Sequence, residues 1–243
     1  VIEIMNPITD EFKVMRTTLL PGVLNSVIYN LARQTNRAAI FEVGRTYTPT
    51  TLPVTTFPTE KNMLCAALYG KRYEISWNEE KADFDFYDIK GLLTGLLSSL
   101  KVTDYTLRAA QETYLHPGKS CEIVYQGEVI GIFGELHPAV QNNFDFAQPV
   151  YVLELAIESL VDAAVFVPQY KHLPKFPGMS RDLAVVVPLE VSREELEKVI
   201  AKQAGPLLQT IKVFDVYTGK QVAEDCKSMA FNLTFQAQDR TLT

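Results

Sequence analysis

Two of the three histidines in this 243-residue chain precede proline, in His116-Pro117-Gly118 and His137-Pro138. An imidazole can relay protons or ligate a metal near neutral pH. Neither site has the HxxxH or HExxH spacing that sets two ligands on one helix face, so both are read as turn residues. Glu74, Glu79, Glu80, Asp83, Asp85 and Asp88 crowd one stretch and could form a metal or acid–base site. They lack the EF-hand pattern and are read as a solvated face or a partner surface. Gly127, Gly131 and Gly134 are spaced like a phosphate loop but fall in and around a hairpin, so they are read as strand-turn glycines. No GxSxG, Walker loop or GxGxxG occurs. Glu42 and Arg45 share a strand three residues apart, which points them to opposite faces and favours a structural role.

Positive charge is local. Lys171, His172, Lys175 and Arg181 stand among Pro174 and Pro177, with no acid from Lys171 to Arg181. Prolines hold the backbone extended, and Leu183 to Val187 then forms an apolar, β-branched run ending at Pro188. This stretch divides the chain into residues 1–160, a connector at 161–173 and a second domain at 174–243. In that second domain, alternation from Ser228 to Gln236 puts Met229, Phe231, Leu233 and Phe235 on one face. Ser228, Ala230, Asn232, Thr234 and Gln236 take the other. An open polar sheet face of this kind can bind single-stranded RNA by stacking and hydrogen bonding. Tyr217 is the candidate for stacking and Arg181 for phosphate contact.

The elements that must position these residues follow from periodicity. Leu20, Val23, Leu24, Val27, Ile28 and Leu31 recur at helical spacing, with Thr17 or Thr18 as cap and Pro21 in the first turn. Ala39–Tyr47 and Met63–Tyr69 read as strands, joined through a Thr- and Pro-rich loop. Ile89, Leu92, Leu93, Leu96, Leu97 and Leu100 form the apolar face of a second helix. Ser120–Val124 and Val129–Phe133 read as a hairpin across Gln126-Gly127, a helix follows His137-Pro138, and Val150–Ile157 is a further strand. Beyond the connector, Ser192-Arg-Glu-Glu195 is a capping box whose helix ends at Gly205-Pro206. Strands at Thr210–Tyr217 and Met229–Gln236 then give the order strand, helix, strand, strand. The fold class is α+β, and the last unit reads as three-quarters of a ferredoxin-like βαββαβ domain, incomplete at its C-terminus, with the strand at Leu183–Val187 central in its sheet. Loss of a second helix would uncover Phe231, Leu233 and Phe235, and a mobile or borrowed cover is expected there.

Composition sets outer limits. Apolar residues at 47% and charged residues at 21% fit a globular protein. No apolar run approaches the roughly 20 residues needed to span a bilayer, and no membrane partner is expected. A net charge of −6 argues against nonspecific duplex binding. Cys65, Cys121 and Cys226 are far apart and odd in number, as in a reduced cytoplasmic protein. The N-terminus Val1-Ile-Glu-Ile lacks both an initiator Met and signal-peptide order, so the chain reads as part of a longer protein.

Several motifs in combination carry a resemblance. Pro174-Lys-Phe-Pro-Gly-Met-Ser-Arg-Asp-Leu-Ala-Val-Val-Val-Pro188, Phe214-Asp-Val-Tyr217 and Asp239-Arg-Thr-Leu-Thr243 resemble the ferredoxin-fold anticodon-binding domain of bacterial phenylalanine–tRNA ligase beta subunits. Val14-Met-Arg-Thr-Thr-Leu-Leu-Pro-Gly22, Phe41-Glu-Val-Gly-Arg45, Tyr87-Asp-Ile-Lys-Gly91 and Gly134-Glu-Leu-His-Pro138 resemble the class II synthetase-like, non-catalytic domain of the same subunit. The resemblance implies a heterotetramer of two alpha and two beta subunits that attaches phenylalanine to tRNA(Phe), using ATP and Mg2+ in the whole enzyme and no cofactor in this part. It implies that the first domain scaffolds the alpha subunit and the second binds the anticodon region, with Lys175, Arg181, Asp215, Tyr217 and Ser228 as the expected RNA contacts. A working class II site needs an Arg where Phe41-Glu-Val-Gly-Arg45 places Glu42, so no catalytic residue and no metal ligand is carried over. An active class II ligase domain and a generic interaction or RNA-binding module are the competing readings.

Overall fold

A computed structural model describes residues 2–10, 13–74, 76–79, 81–167, 170 and 172–242. Lys171, Glu80 and Thr243, each named above, lie outside the described residues. The chain divides into two compact units, Val1–Pro168 and Gln169–Thr243.

The first unit is built on a six-stranded antiparallel sheet ordered β1-β2-β6-β5-β4-β3. Its strands are β1 (Arg37–Thr48), β2 (Thr59–Gly70), β3 (Tyr105–Ala109), β4 (Leu115–Tyr125), β5 (Glu128–Leu136) and β6 (Val150–Ala156). Central β6, Val-Tyr-Val-Leu-Glu-Leu-Ala, is apolar apart from one residue because both its faces are covered. The β4–β5 hairpin turns at Gln126 and Gly127, both at positive φ, as a tight primed turn requires.

Helices cover both faces. On one, α1 (Leu20–Leu31) and α3 (Pro138–Asn143) contribute to a core around Cys65, Ala67, Tyr69 and Val152. On the other, α2 (Phe86–Ser99) and α4 (Ile157–Ala163) pack over Leu68, Phe133, Leu153 and Leu155. Of the apolar face expected on α2, Ile89, Leu93 and Leu97 are fully buried, while Leu92 remains partly exposed.

Two local expectations change. The N-cap position of α1 is Leu19, not Thr17 or Thr18, and no side chain caps it in the usual way. Thr18 Oγ1 still accepts the Leu20 N–H at 3.1 Å. Pro21 sits in the first turn, where its missing N–H costs nothing. Residues 161–163, expected in the connector, complete α4, whose Leu160 is buried in the core.

The second unit has three antiparallel strands in the order β7-β9-β8: β7 (Met179–Pro188), β8 (Leu208–Tyr217) and β9 (Cys226–Phe235). Central β9 alone has a neighbour on each side, so β7 is an edge strand of the described sheet and not a central one. Helix α5 (Arg193–Ala204) starts at the predicted capping box. Ser192 Oγ accepts the Glu195 N–H at 3.2 Å, and Glu195 Oε2 accepts the Ser192 N–H at 2.7 Å. Leu196 and Ile200 of α5 pack on Met229, Phe231 and Leu233, all buried. The exposure expected at Phe231 and Leu233 is therefore absent, because one helix suffices to cover the central strand.

Candidate functional site

In the second unit, register decides which predicted contacts share a face. Antiparallel partners project to the same side of a sheet. Arg181 faces Leu233, Leu183 faces Phe231 and Val185 faces Met229, all on the side packed by α5. The other side carries four rows across β7, β9 and β8: Ser180–Thr234–Thr210, Asp182–Asn232–Lys212, Ala184–Ala230–Asp215 and Val186–Ser228–Tyr217.

Asp215, Tyr217 and Ser228 thus come together on the uncovered face. Arg181 does not join them, because its register with Leu233 puts it on the α5 side. Lys175 lies in the exposed segment before β7. Neither Lys175 nor Arg181 has an ion-pair partner among the described residues.

Simple alternation along β8 would have failed here. Ile211 and Val213 point toward α5, and counting by twos would send Asp215 and Tyr217 after them. A bulge between Val213 and Asp215 inserts Phe214 and turns both residues to the open side. Beside the tyrosine, Ala184 and Ala230 are small, and the ring is 41% exposed, with its hydroxyl edge lying against Gly219. At the far rows, Ser180 Oγ donates to Asn232 Oδ1 at 3.0 Å and Asn232 Nδ2 donates to Asp182 Oδ1 at 2.6 Å. That chain orders three polar side chains that can read base edges. Asp182, Lys212 and Asn232 were not singled out beforehand as contacts. Asn232 between hydrophobic alternates was the available signal.

The first unit carries a cleft of about 330 Å3 on the α1 side of its sheet. Its charged lining is Lys61, Glu112, Glu122 and Glu154, and no arginine lines it. Nearby guanidinium groups are already engaged. Arg16 pairs with Glu42 at 2.5 Å and donates from Nε to the Arg45 carbonyl at 2.8 Å. Arg45 pairs with Glu60 at 3.0 Å, and Arg108 pairs with Glu122. A triphosphate would meet carboxylates and neutralised arginines, so these residues do not fit ATP. Glu42 and Arg45 act as separate structural pairs, as their strand spacing predicted.

Among the described residues no group of three or more His, Cys, Asp or Glu could hold an ion. Three of the acidic run, Asp83, Asp85 and Asp88, have other work. Asp85 caps α2, accepting from Tyr87 N at 2.7 Å and Asp88 N at 3.1 Å, while Asp88 accepts the Asp85 N–H at 2.8 Å. Arg72 binds both carboxylates, and its hydrogen bond to Asp88 raises the guanidinium pKa further. Asp83 pairs with Lys71 at 2.7 Å. Both His-Pro imidazoles make local hydrogen bonds: Nδ1 of His137 accepts from Ala139 N at 3.1 Å to cap α3, whereas His116 lies within β4 and not in the expected turn, its Nδ1 accepting from Gly118 N at 3.0 Å beside the strand's register shift.

Burial raises several thiol and phenol groups. It pushes the Cys65 thiol well up, with Glu154 and Glu42 adding repulsion, and it raises Tyr114, whose hydroxyl donates to Glu154 at 3.2 Å. Tyr151 is pushed up to about 12 by burial and by Glu135. The three cysteines are unbonded thiols, Cys65 buried and the others half-buried. No helix among the described residues is long and apolar enough to cross a membrane.

Two family models match consecutive parts of the chain. Residues 1–157 match the phenylalanyl tRNA synthetase beta chain CLM domain, and residues 174–243 match the ferredoxin-fold anticodon binding domain. A phenylalanine–tRNA ligase beta subunit from Symbiobacterium thermophilum is 38% identical over 242 residues, covering 100% of this chain and 27% of the relative. One from Syntrophotalea carbinolica is 38% identical over 245 residues, covering 99% of this chain and 30% of the relative. The chain thus spans less than a third of the length of these relatives. Among solved structures, a pyrrolysyl-tRNA synthetase from Desulfitobacterium hafniense aligns with a TM-score of 0.44 at 15% identity, over 60% of this chain and 48% of that one. The chain belongs to the phenylalanyl tRNA synthetase beta chain family, with a CLM domain followed by a ferredoxin-fold anticodon binding domain.

Proposed function

We propose that this chain is the scaffold and tRNA-binding part of a phenylalanine–tRNA ligase beta subunit, itself without catalysis. Residues 174–243 bind the anticodon region of tRNA(Phe), and residues 1–160 support the alpha subunit in a cytoplasmic assembly of two alpha and two beta subunits. ATP and Mg2+ belong to the whole enzyme and not to this chain. The observation that carries the RNA reading is the uncovered face of the β7-β9-β8 sheet, where Tyr217 stands beside Ser228 and near Asp215. Absence of a catalytic role is supported by the carboxylate-lined cleft and its paired arginines.

A net charge of −6 limits nonspecific attraction, so affinity must come from stacking and a few local cations. Lys175 supplies one cation beside the sheet, and Arg181 supplies another from its α5 side. Binding of tRNA(Phe) to the purified chain, measured at a series of salt concentrations, tests the reading. Lys175→Ala with Arg181→Ala should weaken binding and flatten the salt slope. Salt-insensitive affinity, or no change, would instead favour an incidental interaction module. Phenylalanine-dependent ATP–pyrophosphate exchange by the chain alone would overturn the non-catalytic assignment.

A further inference from the structure

Glu154 is the charged residue the assigned roles leave unexplained. It interrupts the apolar strand β6, and it is only 8% exposed. Its cross-strand neighbours are Cys65 and Ile132, so the carboxylate points to the α1 side. Thr18 Oγ1 donates to Oε1 and the Tyr114 hydroxyl donates to Oε2. Both donors are neutral. Among the described residues no Lys, Arg or His nitrogen lies within 4 Å of it.

Buried carboxylates are ordinarily paired with a cation, because neutral donors replace only part of the lost hydration. A carboxylate also accepts about four hydrogen bonds, so two places remain here. Space is present on both sides. Glu154, Thr18 and Tyr114 line the polar cleft and also an adjoining pocket of about 270 Å3. Leu20, Pro21 and Leu24 of α1, with Val140 and Phe144, supply that pocket's apolar walls.

We propose that this pocket and Glu154 form a binding site for a small primary amine bearing an aromatic or branched aliphatic group. The ammonium donates to the free acceptor positions of Glu154, and the apolar group fills the space between α1 and α3. Glu112 and Glu122 in the adjoining cleft disfavour a ligand that also carries an acid, so an amine is preferred over a free amino acid or a nucleotide. Tyr114 remains a hydroxyl donor when the site fills, since burial disfavours its phenolate. No reaction is required of the site.

The test titrates the whole 243-residue chain with 2-phenylethylamine and, separately, with its neutral isostere 2-phenylethanol. Leu24 and Val140 methyl resonances report occupancy. The amine should shift them saturably and bind at least about tenfold more tightly than the alcohol, the difference expected of one charge-assisted hydrogen bond. Glu154→Gln should remove that preference while leaving alcohol binding in place, and Val140→Trp should remove both by filling the pocket. Should Glu154→Gln fail to fold, the amine–alcohol comparison on the unchanged chain still decides. Equal affinities, absence of saturable shifts, or shifts confined to other regions overturn the proposal.

Discussion

Tyr217 and Ser228 are direct partners in the β8–β9 ladder, and both leave the sheet on the side that α5 does not cover. The tyrosine ring offers a partly exposed face for stacking, with its hydroxyl edge against Gly219, and the serine hydroxyl stands beside it. Tyr217→Ala should weaken tRNA(Phe) binding by about 1–3 kcal/mol, the usual value of one base–aromatic stack. Tyr217→Phe should retain most of the affinity, because stacking needs the ring and not the hydroxyl. Filter binding with both variants at one salt concentration checks this.

Phe231 is the fully buried centre of the second unit's small core. Truncation to alanine removes most of the ring contacts beneath α5, and the site is too small to collapse fully. Phe231→Ala should cost about 3–5 kcal/mol and unfold this unit at ordinary temperature. Circular dichroism of the isolated second unit, or urea titration of the whole chain, would register the loss.

Two glycines at positive φ should respond differently to alanine. Gly127, in the β4–β5 turn at φ 88°, has open space where a Cβ would sit, so Gly127→Ala should cost only backbone strain, about 1 kcal/mol. Gly70, at φ 80°, would drive its Cβ into the Asn36 carbonyl. Gly70→Ala must move the start of β1 and should destabilise the first unit by a clearly larger margin. Thermal unfolding of the two variants measures the contrast.

Cys65 is fully buried, and its thiol is held well above the ordinary value by desolvation and neighbouring carboxylates. Thiolate is the reactive form, so Cys65 should resist iodoacetamide at pH 8 in the folded chain. Labelling should appear once urea unfolds the first unit, and peptide mass mapping would locate it.

Glu195 completes the capping box of α5, and its hydrogen bonds from the Ser192 backbone and hydroxyl lower its pKa from 4.5. A lowered folded-state pKa gives stability that is full above the unfolded value and is lost as pH falls through the folded one. The stability advantage of the parent over Glu195→Gln should therefore be constant near neutral pH and shrink below pH about 4.5. Ser192→Ala should cost about 1 kcal/mol at pH 7. Urea midpoints at neutral and acidic pH separate the two effects.

Local signals determined much of this protein. The spacing of Leu20 to Leu31, the Gln126-Gly127 turn and the Ser192–Glu195 box each specify an element through contacts a few residues apart. The turn and the capping box act within a few residues, whereas the apolar spacing only marks the face that the sheet then buries. The alternation of Met229, Phe231, Leu233 and Phe235 likewise named the core strand of the second unit.

Only the tertiary structure decided which functional residues meet. Strand pairing put Arg181 opposite Leu233, under the influence of a register that no local rule supplies. The bulge at Phe214 reversed the faces of Asp215 and Tyr217 relative to plain alternation. Glu154 was visible in the sequence as a lone charge in an apolar strand. Its Thr18 and Tyr114 partners lie 136 and 40 residues away, so their convergence is a product of the sheet and of α1 packing upon it. A side chain's direction follows from its own backbone, but its neighbours follow from the register and packing of strands far away in sequence.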